Sequence, residues 1–115
     1  MKYNKEKRLD YICIVLIILG VLIITTGVRM NDFVSAQNGG KMPVLNWDGT
    51  WNDVFASYQN VTSNTKFIFL VDRYTRYNFS LGDFIIVLGV IPLMFATSIL
   101  LMRNNLEEQP AGDKR

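Results

Sequence analysis

Residues 12–28 read ICIVLIILGVLIITTGV and residues 84–102 read FIIVLGVIPLMFATSILLM, and neither run contains Asp, Glu, Lys, Arg or His. At a rise of about 1.5 Å per residue, helices of 17 and 19 residues reach across a hydrocarbon core of about 30 Å with help from their flanks. The two runs predict a membrane all-α fold. Its form is a two-span antiparallel transmembrane helical hairpin with an external loop of roughly 50 residues that contains a short amphipathic helix. The chain then divides into a basic tail at 1–11, a first span at 12–28, an extracytoplasmic loop at 29–80, a second span at 81–102 and a disordered tail at 103–115.

Charge orients this hairpin. The first tail carries Lys2, Lys5, Lys7 and Arg8 against Glu6 and Asp10, whereas the segment between the two apolar runs, residues 29–83, and the last tail each balance to zero. Basic residues accumulate on the cytoplasmic side of membrane proteins, so the N- and C-termini are expected in the cytoplasm and the loop outside the cell membrane. A cleavable leader is the competing reading, with Val34-Ser35-Ala36 as the small-residue site before Gln37. That site lies twelve residues beyond Ile24, longer than the usual spacer, so the first run is read as a retained span. Cys13 is the only cysteine and lies inside the run, which leaves no intramolecular disulfide to order the loop.

Small residues repeat every seven positions in both runs: Cys13, Gly20 and Gly27 in the first, Gly82, Gly89 and Ala96 in the second. In an antiparallel hairpin Gly27 falls level with Gly82, Gly20 with Gly89 and Cys13 with Ala96. Close backbone approach substitutes in lipid for the hydrophobic drive, so these six are the candidate helix-packing residues. A seven-residue period implies a shallow left-handed crossing. Pro92 loosens one turn of the second helix, and Thr25, Thr26, Thr97 and Ser98 are expected to bond back to the preceding turn.

In the loop, Asn38-Gly39-Gly40 signals a turn and Met42-Pro43 an extended approach. Trp51, Val54, Phe55 and Tyr58 follow i, i+3, i+4, i+7 spacing, which predicts a short helix from about Thr50 with an aromatic stripe. Trp47, Trp51, Phe55 and Tyr58 form the candidate loop binding surface, or lie flat in the headgroup zone. Residues 66–71 read as a short apolar strand or a buried extended segment, Asp72-Arg73-Tyr74 as a return to water, and Ser80 with Asp83 as the cap of the second helix.

Three ordered motifs carry a resemblance. Asn38-Gly39-Gly40-Lys41-Met42-Pro43-Val44, the stretch 65–72, and Phe79-Ser80-Leu81-Gly82-Asp83 before an apolar helix resemble an uncharacterised bacterial family of multi-pass membrane proteins, a domain of unknown function. The resemblance spans roughly 21–90, with fewer spans upstream than that family has. It implies a bacterial membrane location and no activity, ligand or cofactor.

The residue inventory points away from catalysis. There is no histidine, no thiol outside the apolar runs and no Cys/His metal spacing, so no enzyme activity, metal or cofactor is expected. Ion pathways need ionisable groups at membrane depth, and the apolar runs 12–28 and 84–102 have none. The basic excess is too small for nucleic-acid binding. The expected partners are the lipid bilayer and another membrane protein or a second copy. The favoured role is an accessory or interaction subunit of a membrane assembly. An extracytoplasmic binding or sensing module using the aromatic loop is the alternative, and a holin-like membrane protein the third.

Overall fold

In a computed structural model the described residues are 2–45, 57–74 and 78–108. Two long helices dominate. Helix α1 covers Lys2–Gln37 and helix α2 covers Leu81–Glu107, so both continue past their apolar runs. Between them lie strands β1 (Met42–Leu45), β2 (Tyr58–Asn60), β3 (Asp72–Tyr74) and β4 (Asn78–Phe79), with a 3-10 turn at Ile68–Leu70.

The helices run antiparallel along one seam. A Cβ added to Gly20 would stand 2.8 Å from the Gly89 carbonyl oxygen, and one on Gly89 2.9 Å from the Gly20 carbonyl oxygen. A Cβ on Gly27 would meet the Gly82 carbonyl oxygen at 2.5 Å. Because these neighbours are backbone atoms, no side-chain rotation relieves the clash. The Cys13 Sγ reaches the Ala96 carbonyl at 3.9 Å. Larger residues, Leu16, Ile23, Ile24, Ile86 and Leu93, fill the half-buried positions beside the small ones. Pro92 is buried within α2, where it leaves the Leu88 carbonyl without its usual amide.

The seven-residue series does not stop at the apolar runs. Val34, the next step after Gly27, is fully buried, and Arg103, the next after Ala96, binds Asp10 of α1 and Glu107 one turn on. Helix α2 runs on to Glu107, past residue 103 where disorder was expected to begin; residues 109–115 lie outside the described set. The first nine residues assigned to the loop, 29–37, are likewise the last turns of α1.

Helix α1 ends at the expected turn. Gly39 and Gly40 adopt φ of 78° and 84°, and the Gly40 amide donates to the Ser35 carbonyl at 2.8 Å. Nothing lies within 4 Å of a Cβ placed on either, so their role is conformational. The chain then enters β1 against the helix end, where Val34, Met42 and Val71 form a small core flanked by Leu45, Tyr58, Val61 and Leu70.

The four strands form one mixed sheet in the order β2-β1-β3-β4, with β1 parallel to both neighbours and β4 antiparallel to β3. This sheet corrects the all-α expectation. It also places Tyr58 in β2, paired with Met42, and not on a helix with Trp51. Trp47, Trp51 and Phe55 lie outside the described residues, as does most of the expected amphipathic helix. The segment expected as a strand at 66–71 forms the 3-10 turn, and pairing begins at Asp72. Pro43 sits in the central strand because its missing amide faces the side on which β3 has not yet begun: the β1–β3 register starts at Val44↔Asp72.

Replacing Gly89 by Leu should separate the helices, since overpacking against backbone costs about 1–3 kcal/mol even for small excesses. The measurement is disulfide formation between Cys13 and Ala96→Cys, read by mass spectrometry. The bond should form readily on the native background and fall sharply with Gly89→Leu.

Candidate functional site

The most unusual chemistry lies where α1, the sheet and the start of α2 meet. Ser80 caps α2 in a capping box: the Asp83 amide donates to the Ser80 Oγ at 3.0 Å and the Ser80 amide donates to the Asp83 Oδ2 at 3.0 Å. Asn31 of α1 closes this box into a ring. Its Nδ2 donates to the Asp83 Oδ1 at 2.8 Å, and the Ser80 hydroxyl donates to its Oδ1 at 2.8 Å. Gly82 makes room for it, because any Cβ there would strike the Asn31 carboxamide.

Asp72, the first residue of β3, faces this ring from the sheet. It is only 5% exposed, and its Oδ1 has no hydrogen-bond partner. Burial, followed by the nearby Asp83 charge, raises its pKa from 3.8 to about 6, against a smaller lowering by the Ser80 hydroxyl. That hydroxyl has one proton and two acceptors, Asn31 and Asp72. Among the described residues neither Asp72 nor Asp83 has a basic partner. The arrangement can hold a proton.

Sequence reasoning placed Asp72 in water and did not single out Asn31. Asn31 had a signal, since it stands four residues after Gly27 beside the packing series. Asp72 had none, because its burial depends on residues from three distant elements. The six packing residues meet in three pairs along the seam, and one of these, Gly27–Gly82, adjoins the site. Of the four aromatic candidates only Tyr58 is described, half-buried in β2.

A second concavity, of about 220 Å³, opens on the sheet's outer side. Gln37, Asn38, Gln59, Asn60, Thr62 and Asn64 are among its lining residues, all polar and uncharged. Asn38 is already committed: its Nδ2 donates to the Val34 carbonyl at 2.8 Å and the Lys66 carbonyl at 3.1 Å. Its Oδ1 accepts from the Lys66 amide at 2.8 Å. Gln59 donates to the Asn38 carbonyl at 2.8 Å.

With this architecture in place, the comparisons give one family. The chain belongs to the family of unknown function DUF5317, which matches residues 11–95. That range holds the whole sheet and the Asn31–Ser80–Asp83 ring, and ends one residue before Ala96. Neither the curated proteins nor the solved structures compared with the chain give a match.

Two predictions follow from the ring and the buried acid. Asn31→Ala leaves the Asp83 Oδ1 and the Ser80 hydroxyl unpaired, which should cost about 1–3 kcal/mol and speed amide exchange in the first turn of α2. For Asp72 the native pKa exceeds the unfolded one, so between pH about 4 and 6 the native state binds more protons and stability falls as pH rises. Asp72→Asn should therefore slow hydrogen exchange of β1 and β3 at pH 7.5 by roughly 1–3 kcal/mol of opening free energy. The difference from the native chain should vanish near pH 4.

Proposed function

We propose that the chain is a two-span protein of the cell membrane with both termini cytoplasmic, acting as an accessory or interaction subunit that presents its outer sheet module to a membrane partner. One observation carries the reading. Polar side chains of the two helical arms meet at Asp10–Arg103 and at Asn31–Ser80–Asp83, and between these levels the Cys13 thiol reaches the Ala96 carbonyl. The 21 residues from Asp10 to Asn31 span about 32 Å of helix, close to the thickness of a hydrocarbon core. Between these levels the outward faces are apolar except for Arg29 near the outer end, and Thr25, Thr26, Thr97 and Ser98 each donate to the carbonyl four residues back. Hydroxyls bonded in this way leave no unsatisfied donor of their own facing lipid.

The small-residue seam is consumed within the chain, so a partner is met by the outer module or by large apolar side chains. No histidine exists to serve as base, and the single thiol is buried between the helices, which supports a role without catalysis. The runner-up is an extracytoplasmic binding or sensing module, favoured by the uncharged cavity beside β2 and by the tryptophans at 47 and 51. A holin-like role has less support, since neither span offers a polar face to line an opening.

Native mass spectrometry of the tagged protein, released gently from its membrane, tests the role: a larger membrane protein bound to the chain is expected. The chain alone, or bound only to itself, would transfer the function to the outer cavity. Orientation is tested on a Cys13→Ala background, where Ser63→Cys should react with an impermeant maleimide on intact cells and Lys5→Cys only after permeabilisation.

A further inference from the structure

Asn38 grips Lys66 by both amide and carbonyl, and the next residue, Phe67, adopts the left-handed conformation, φ 56° and ψ 46°. For a bulky L-residue this conformation is strained. The bend does not bury the apolar residues that follow. Phe67, Ile68 and Phe69 all remain exposed, Phe69 by 65%. Phe67 instead packs sideways on Phe33 of α1, ring centroids 4.9 Å apart, and on Phe69 at 6.4 Å.

The level of this cluster is fixed by α1. Phe33 stands five residues past Val28, the end of the apolar run, or about 7.5 Å along the helix. A bilayer's headgroup zones add about 5–8 Å on each side of the hydrocarbon core, so the cluster falls at headgroup height. Its direction is fixed too. At 100° per residue Phe33 lies above Arg29, Leu22, Ile18 and Val15, and all five are exposed, forming one stripe. Arg29 and Lys66 flank the cluster against the single acid Asp32, a balance suited to anionic headgroups.

We infer that Phe33, Phe67, Ile68 and Phe69 form a membrane-interface foot that seats the outer module on the outer-leaflet lipid, continuing the lipid-facing stripe of α1. The inference rests on the two-span reading. Lipid is the occupant because the foot is continuous with the lipid-facing surface, at the depth where aromatic residues partition, with basic residues beside it. The foot fixes the height of the sheet above the bilayer, and with it the height at which any partner is met.

The test uses nitroxide labels in vesicles of phosphatidylcholine and phosphatidylglycerol, on the Cys13→Ala background, at Leu22→Cys, Phe69→Cys and Ser63→Cys. Collision with oxygen reports lipid and collision with a water-soluble nickel complex reports water. The oxygen-to-nickel ratio at Phe69 should be several-fold above that at Ser63 and below that at Leu22. A ratio at Phe69 equal to that at Ser63, with Leu22 in lipid, overturns the foot and leaves the spans intact. Protection of Phe69 from both reagents overturns it in favour of a protein contact. A water-like ratio at Leu22 overturns the two-span reading itself.

Discussion

Three glycines, Gly20, Gly27 and Gly89, set their backbones so close to the opposing helix that a methyl group would fall 2.5–2.9 Å from a backbone atom of the other chain segment. In water such a seam would be one packing surface among several. In lipid it is the main source of attraction between helices, because apolar side chains gain nothing by leaving the acyl chains for each other. Everything else in the molecule inherits its position from this contact. It sets which residues face away from the partner helix, brings Arg103 level with Asp10, and lays Asn31 across the first turn of α2.

The two polar levels then do what the seam cannot. A seven-residue repeat of small residues permits sliding by one repeat, since Gly20 opposite Gly82 would also bring small residues together. Asn31 forbids that slip, because its carboxamide matches only the Ser80–Asp83 capping box, and Asp10 with Arg103 forbids it at the other end. Specificity of register thus comes from polar groups and closeness from glycine. A single buried amide has the same effect in coiled coils, where it costs stability and selects one alignment.

This division explains what the amino-acid sequence could reveal. The seam is written in a local period, so Cys13, Gly20, Gly27, Gly82, Gly89 and Ala96 were recognisable, and so was the Ser80–Asp83 cap. The sheet was not recognisable. Its strands are two to four residues long, too short to show alternation, and β1 pairs in parallel with partners far along the chain. Tyr58 fitted a helical stripe with Trp51 and Phe55, yet pairing with Met42 decided its state. Asp72 looked like a solvated charge because its neighbours along the chain, Arg73 and Tyr74, are polar; its surroundings in space are Val44, Ser80 and Asp83.

The contrast between the helix pair and the outer module bears on where function resides. Within the spans each local preference agrees with the global arrangement: apolar residues face outward, small residues face inward, and hydroxyls are satisfied by their own helix. The outer module breaks several rules in a short distance. It buries a carboxylate with an unpartnered oxygen, bends Phe67 into a left-handed conformation and leaves three consecutive apolar residues exposed. Such conflicts lower stability and persist in proteins chiefly where activity requires them. On the accessory reading proposed above, the helix pair positions the outer module, and that module is the first place to seek a partner.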